Sequence, residues 1–168
     1  MSLREEEMSN QQIQPWLNTP VKNISSDINN WMLEGLQAGL DTLDLETGII
    51  SQIDGSNYTI RQVTSKMGDI FSPGDSFELC DTYCAAVAKE DKTITYIQVG
   101  AIPEMILHPV YKAVQLESYI GAPIHDNNGH VAGTVNFSSH KIRDKDFDNT
   151  EMSLVTQMAD KLGDVLYR

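Results

Sequence analysis

The sequence predicts an α+β domain in which one antiparallel sheet of about five to six strands is flanked by helices. Residues 43–64 and 118–139 each contain two runs of alternating apolar and polar side chains around a turn, which is typical of a β-hairpin. Stretches near both ends of the chain instead repeat apolar side chains at helical spacing. Tight turns make neighbouring strands antiparallel, so the helices are segregated from the sheet, as in an α+β sandwich.

The first 20 residues are polar and include three consecutive glutamates, so we expect a flexible N-terminal lead-in. Trp16 and Leu17 are the residues within it that could dock on the domain or on a partner chain. The domain itself is expected over residues 21–168.

The domain is expected to begin with a helix followed by a hairpin. Ser25 or Ser26 could cap the helix, and Gly39 falls where its pattern is predicted to end. Residues 43–53 and 58–64 then alternate as two strands, and the Asp-Gly-Ser-Asn sequence between them is typical of a turn.

The middle of the chain is predicted to be irregular. Glycine and proline interrupt residues 66–81, which also carry two phenylalanines, so this loop is predicted to cover either a pocket or the core. Asp81 could cap a short helix to about Lys89. Residues 93–99 are strand-like, and a short helix is plausible from Pro109, because proline is tolerated in a first helical turn.

The hairpin at residues 118–139 carries the most informative pattern. Its Asn128-Gly129 pair suits a primed two-residue turn, in which both central residues have positive φ. Pro123 has no amide hydrogen to donate, so we expect it at an edge or a bulge of the sheet.

A last helix is predicted to run to the end of the chain. Phe147 precedes it as an anchor, and Asp148 with Glu151 resembles a capping box. The apolar side chains of this helix have heptad-like spacing, which predicts that the terminal helices form a homodimer contact. Trp31 is the residue of the first helix that is expected to contribute to this contact. In the alternative interpretation the stripe is core and the chain is monomeric. The stripe consists of Met152, Val155, Ala159, Leu162 and Leu166.

The composition excludes several classes of partner. The chain has 168 residues, 24 of them acidic and 12 basic, for a net charge of −12. Such a charge repels nucleic acid and anionic membrane surfaces. The sequence shows neither a long apolar run nor the apolar segment of a signal peptide, so we expect no membrane insertion and a cytoplasmic location.

Residues 118–139 read SYIGAPIHDNNGHVAGTVNFSS, and a later Phe147 precedes the terminal helix. This pattern resembles the GAF domain family over about residues 25–167. The resemblance implies a PAS-related sheet with terminal helices on one face and short helices and loops on the other. It also implies that any ligand lies between the sheet and those loops. The positions that match the family's ligand site are Phe77, Thr82, Tyr83, Cys84, Tyr96, His108, Tyr111 and Asn136.

We therefore predict a semi-enclosed cavity beside the second hairpin. Residues 66–81 and the short helices around Tyr83 and Tyr111 are expected to form its roof. Aromatic walls with a few polar groups suit a small organic ligand.

The two cysteines, Cys80 and Cys84, are the first candidates for special chemistry. No Cys/His spacing typical of a metal site is present, and we expect no metal and no cofactor. Bilin-binding members of the family typically carry a Cys-His pair, whereas Ala85 follows Cys84 here. Cyclic-nucleotide-binding members often show an Asn-Lys pair, whereas Phe137 follows Asn136 here.

These observations predict a non-catalytic sensory or regulatory domain that controls an output domain, such as a diguanylate cyclase or a histidine kinase, in a signalling protein. One alternative is a small thiol-based enzyme similar to free methionine sulfoxide reductase. Another is a ligand-free dimerisation module. No catalytic serine, phosphate-binding loop or metalloprotease motif is present in the sequence.

Overall fold

A single antiparallel sheet forms the centre of the protein in the computed structural model, which describes residues 13–24 and 26–167. Within those residues the strand order is β3-β2-β1-β6-β5-β4. The strands are β1 (Thr47–Asp54), β2 (Asn57–Ser65), β3 (Ser76–Glu78), β4 (Ile94–Tyr96), β5 (Ser118–His125) and β6 (Val131–Ser139). The predicted α+β class and both predicted hairpins, β1–β2 and β5–β6, are confirmed.

Five α-helices are numbered here, and residues 13–17 are also helical. The helices are α1 (Val21–Ile24), α2 (Ile28–Leu43), α3 (Cys84–Glu90), α4 (Pro109–Val114) and α5 (Asn149–Tyr167). Single 3-10 turns lie at Leu79–Asp81, Val99–Ala101 and Pro103–Met105. None of the described helices combines the length and apolar character needed to cross a bilayer.

The sheet is covered on both faces, and the two faces carry different elements. Helices α2 and α5 pack on one face against alternate side chains such as Ile120, Val135 and Phe137. The opposite face presents Tyr58 and Tyr119 to α3 and the loops near α4. Because side chains alternate along a strand, neighbouring residues of β5 belong to different cores. The predicted separation of terminal and short helices is confirmed.

The first long helix differs from its prediction at both ends. Its N-cap is Asp27, whose carboxylate accepts a hydrogen bond from the Asn30 amide at 3.3 Å, rather than Ser26; Ser25 lies outside the described residues. The helix continues through Gly39 to Leu43, because Gly39 lets the Phe137 ring pack directly against the helix. The first strand consequently begins at Thr47 instead of residue 43.

Part of the predicted lead-in belongs to the packed domain. Residues 1–12 lie outside the described residues, but Ile13 and Trp16 are buried. The Trp16 ring stacks on Trp31 with 4.4 Å between centroids, and its Nε1 donates to the Trp31 carbonyl at 2.7 Å. Trp16 therefore docks on the domain itself, so part of the predicted lead-in is packed instead of flexible.

The stripe on α5 faces the sheet. Val155, Ala159 and Leu162 are at most 1% exposed, whereas Met152 and Leu166 are partly buried against the same core. Trp31, the partner surface predicted on the first helix, is covered by Trp16. A single chain thus already buries Trp31 and most of the stripe, and the dimer contact stays a prediction.

The start of α5 is as predicted. Asp148 Oδ1 accepts from the Glu151 amide at 2.8 Å, and Glu151 Oε1 accepts from the Asp148 amide at 3.0 Å. This is a reciprocal capping box with aspartate in place of serine or threonine. Phe147 is buried below Arg143, which also forms an ion pair with Glu151 at 3.1 Å.

The turn of the second hairpin has a different form from the one predicted. Gly129 has a φ of 79°, but Asn128 does not have positive φ, so a primed Asn-Gly turn is wrong. Instead the Asp126 carboxylate accepts from the Asn128 and His130 amides, at 2.8 and 3.1 Å. Pro123 does occupy an edge position, because β4 pairs with β5 only as far as Gly121.

Two of the short elements also differ from prediction. Residues 79–81 form a 3-10 turn that Thr82 closes onto Leu79, so Asp81 does not cap the following helix, which begins at Cys84. Strand β4 is limited to Ile94–Tyr96 rather than residues 93–99. Helix α4 does begin at Pro109, as predicted.

Candidate functional site

A cavity of about 300 Å³ lies on the face of the sheet that α3 and α4 cover. Its floor is formed by strands β1, β2, β5 and β6. Its roof is formed by Phe71 of the loop at residues 66–75, by Phe77 of β3, and by α4, including Val110 and Ala113. The predicted cavity beside the second hairpin is therefore present, with the predicted loop and short helices around it.

Five of the eight predicted site residues line this cavity. Cys84 is the first residue of α3, which follows the 3-10 turn. Asn136 lies on strand β6, which faces α3. The five are Phe77, Thr82, Tyr83, Cys84 and Asn136.

The other three predicted residues lie behind the cavity wall. Tyr96 and His108 pack against Tyr83, with ring centroids 5.6 and 5.0 Å away. Tyr111 donates a hydrogen bond from its hydroxyl to Glu117 at 3.3 Å. Helix α4 presents Val110, Ala113 and Val114 to the cavity, and Tyr111 is not among its lining residues. Tyr96, His108 and Tyr111 therefore do not line this cavity, and their role as ligand contacts stays a prediction.

Several lining residues were missed by sequence reasoning. Tyr58, Tyr119 and Ser138 lie on three different strands and meet at the cavity only in the folded sheet. Strand alternation could have found Ser138, because it shares a face with Asn136. The register of β5 against β6, which pairs Tyr119 with Ser138, was needed to add Tyr119.

The Cys84 thiol is the centre of a buried polar cluster at the floor. Its Sγ lies 3.1 Å from the Tyr119 hydroxyl and 3.8 Å from the Tyr58 hydroxyl. Thr134 Oγ1 and Asn136 Nδ2 both donate to it at 3.3 Å. The thiol thus has hydrogen-bonding neighbours from β2, β5 and β6, and these contacts hold α3 against the sheet.

Burial determines the protonation of this cluster. It raises the pKa of the Cys84 thiol and raises the pKa of the Tyr58 and Tyr119 hydroxyls well above their usual range. All three side chains are at most 4% exposed. A thiolate is the nucleophilic and metal-binding form of cysteine, so this environment keeps Cys84 as a neutral thiol.

His108, which packs behind Tyr83, is also uncharged. Burial lowers the pKa of His108, against the opposing effects of a hydrogen bond with the Thr82 backbone and the Asp81 charge. Its Nδ1 accepts a hydrogen bond from the Val110 amide at 3.2 Å. His108 therefore supports Tyr83 and the start of α4 as an uncharged ring.

Metal binding receives no support from the described side chains. Among residues 13–24 and 26–167, no group of three or more His, Cys, Asp or Glu residues is arranged to hold a metal ion. Both cysteines are free; Cys80 is exposed and lies outside the cavity lining.

We expect the two thiols to differ sharply in reactivity. With iodoacetamide at pH 8, Cys80 should be alkylated in the native protein while Cys84 stays unmodified, because Cys84 is both buried and neutral. Mass spectrometry of tryptic peptides gives the modified fraction at each position. Denatured protein, in which both thiols should react, is the control. Equal alkylation in the native protein would contradict the closed environment described for Cys84.

Comparisons with known proteins agree with this architecture. The family whose model matches the chain is described as the GAF domain, and the match covers residues 25–166. No match is found among curated proteins.

Solved structures with the same fold come from proteins of different activity. The GAF domain of an Acinetobacter phosphoenolpyruvate-protein phosphotransferase aligns with a TM-score of 0.71 at 14% identity, over 98% of this chain and 94% of that one. The phycocyanobilin-bound GAF domain of a cyanobacterial phytochrome gives 0.71 at 15%, over 99% and 95%. Free methionine-R-sulfoxide reductase from Neisseria meningitidis, in complex with its substrate, gives 0.71 at 12%, over 98% and 91%. At these identities the likeness shows the fold alone.

Proposed function

The chain belongs to the GAF domain family, and from that premise we propose that it is a non-catalytic regulatory domain that binds a small molecule in the cavity. The observation that carries the proposal is the cavity of about 300 Å³ with the polar cluster around Cys84 at its floor. Small-molecule sites are typically concave and largely apolar, with a few polar groups that orient the ligand. In the proposal, ligand binding in the cavity controls the activity of an output domain of a signalling protein.

The contacts of α3 supply a route for that signal. Cys84 begins α3 at the cavity floor, and Asp91, which ends the helix, lies 2.6 Å from His125 Nε2 at the end of β5. The backbone of His125 in turn packs against Gly163 of α5. A ligand that displaces α3 would therefore act on the last helix through two direct contacts.

The cysteine environment supports a regulatory role over thiol catalysis. A methionine sulfoxide reductase of this fold needs a reactive thiolate and a partner thiol at its pocket. Here Cys84 alone lines the cavity, and burial raises its pKa. Cys80 is exposed on the 3-10 turn outside the lining.

If the cavity binds a small molecule, some members of a metabolite library should raise the Tm of the protein. At a concentration 100 times Kd, a ligand adds about 2.7 kcal/mol to the free energy of unfolding. For a chain of this size that corresponds to a rise in Tm of roughly 5–10 °C. The measurement is differential scanning fluorimetry of the full chain, with hits verified by calorimetry.

A matched pair of variants links such stabilisation to the cavity. Ala113→Trp places a large ring at the cavity rim, whereas Ala101→Trp adds the same ring at an exposed position outside the lining. We expect the first variant to lose the stabilisation and the second to keep it. Hits that stabilise both variants equally would contradict binding in the cavity.

The enzymatic alternative is tested separately. When the protein is incubated with free methionine-R-sulfoxide and dithiothreitol, we expect no reduction of the sulfoxide. Reduction of the sulfoxide that disappears in Cys84→Ser would replace the regulatory proposal with a thiol reductase.

A further inference from the structure

We propose that the cavity selects an uncharged, largely apolar ring compound of about ten non-hydrogen atoms that carries an O–H or N–H donor, which bonds to Asn136 or Ser138 of β6. This inference rests on the proposed function and specifies the chemical class of its ligand.

Polar side chains follow one face of β6, where Thr134, Asn136 and Ser138 alternate along the strand. Asn136 and Ser138 line the cavity, whereas Thr134 is not among its lining residues. The Thr134 hydroxyl is already hydrogen-bonded to Ser51, Cys84 and Asn136. The next two residues differ from it in this respect.

Asn136 and Ser138 retain unused hydrogen-bonding atoms at the cavity. The Asn136 amide nitrogen donates to Tyr58, Cys84 and Thr134, but its Oδ1 has no hydrogen bond within the described part of the chain. The Ser138 hydroxyl also makes none among those residues, although Ser138 is 3% exposed. Both side chains line the cavity. Unused acceptors on buried side chains favour a ligand that brings a donor.

The charges around the cavity disfavour an anion. Among the residues that the structure describes, no lysine or arginine lines the cavity, and the lining His140 lies 3.5 Å from Glu46, so an anion would enter without an unpaired counter-charge. Burial acts to raise the pKa of Glu46, but hydrogen bonds from Ser139 and the His140 amide, with the His140 and Lys141 charges, lower it overall, so this carboxylate beside the lining residue His140 is ionised. Asp81 adds a second carboxylate. Anionic ligands, cyclic nucleotides included, are disfavoured.

A cation is disfavoured for a different reason. In the described part of the chain Asp81 is the only carboxylate that lines the cavity, and it is exposed, so solvent screens its charge. The deeper walls are rings and aliphatic side chains such as Phe71, Tyr83 and Val110. A buried ammonium group there would lose hydration without a paired charge.

The volume of the cavity limits the size of the ligand. A volume of about 300 Å³ is roughly ten times the share of one water molecule in the liquid. A single or fused aromatic ring with one substituent fits that space, and the aromatic walls can contact its faces and edges. Larger chromophores and nucleotides exceed this volume.

The test compares matched probes on two ring scaffolds with the full chain, by calorimetry or ligand-observed NMR. The uncharged donors are indole and 4-ethylphenol. Their methylated forms, 1-methylindole and 4-ethylanisole, lack the donor. Indole-3-acetate and 4-hydroxyphenylacetate supply anions, and tryptamine and tyramine supply cations.

We expect the uncharged donors to bind, methylation of the donor to weaken binding by roughly three- to tenfold, and either charge to weaken it by about tenfold or more. Asn136→Leu should discriminate less between methylated and unmethylated probes than the parent, once circular dichroism shows that it is folded. Ser138→Ala is the second variant, which leaves the contacts of Cys84 in place and should reduce the same discrimination.

The opposite outcomes separate the two levels of the proposal. Equal binding of methylated and unmethylated probes, or preferential binding of either charged series, would overturn the inference about ligand class and leave a binding cavity in place. If ¹²⁹Xe NMR shows that xenon enters the cavity but none of the probes binds, the inference about ligand class fails and the proposed function stands. If neither xenon nor any probe enters, the proposed function fails with it.

Discussion

Replacing Leu162 with glutamate should strongly lower the stability of the folded chain instead of dissociating an oligomer. Leu162 is fully buried between α5 and the sheet. The substitution removes its packing and leaves a carboxylate without a partner in an apolar core, which together should lower the free energy of unfolding by at least about 4 kcal/mol. That is a large share of the roughly 5–15 kcal/mol typical of a folded domain.

Gln157→Glu is the matched control for this experiment, because it adds the same charge to the exposed side of the same helix. Its free energy of unfolding should stay within about 0.5 kcal/mol of the parent value. Urea denaturation followed by circular dichroism measures both variants, and gel filtration reports their mass. A Leu162→Glu protein with the parent's stability and half its mass would show that the α5 stripe is an interface after all.

The free energy of unfolding should fall steeply at alkaline pH because of the cluster around Cys84. Cys84, Tyr58 and Tyr119 have raised pKa values in the folded state, so they keep their protons at a pH where the unfolded chain has lost them. The unfolded state then binds fewer protons, and stability decreases as pH rises. The full contribution is present below about pH 8.5, the usual thiol pKa, and tyrosine adds to the loss above about pH 10.

Each such group removes about 1.4 kcal/mol per pH unit, so all three together remove about 4 kcal/mol per unit above pH 10. Between pH 8.5 and 10 the dependence should be shallower by about one proton in Cys84→Ala than in the parent. Cys80→Ala is the matched control, since its thiol is exposed, and should keep the parent slope. Urea titrations at half-unit pH intervals give these slopes. Parallel curves for the two variants would show that Cys84 is not a closed, neutral thiol.

The sequence by itself determined the elements whose signals are local. Alternating side chains around the turns predict both hairpins, and Asp148 with Glu151 predicts the start of α5, because those contacts join residues a few positions apart. Pro109 likewise predicts the start of α4. The pattern around β5 and β6 was also sufficient for the resemblance that gave the fold and the side of the sheet where the cavity lies.

Only the tertiary structure decided which surfaces remain free. A heptad-like stripe has the same spacing whether it faces a second helix or a sheet, and here Val155 and Leu162 face the sheet. Gly39 suggested a helix end, but the Phe137 ring from β6 occupies the space its missing side chain leaves. Trp16, in a polar segment, is buried because Trp31 offers it a ring face.

The tertiary structure also decided which residues line the cavity. Tyr83 and Tyr111 are both tyrosines on or beside short helices, yet Tyr83 lines the cavity and Tyr111 turns to Glu117. Tyr58, Tyr119 and Ser138 enter the site through the pairing of strands far apart in sequence. Helical and strand periodicities state which residues share a face, but the partner that covers each face depends on long-range packing, which no local pattern records.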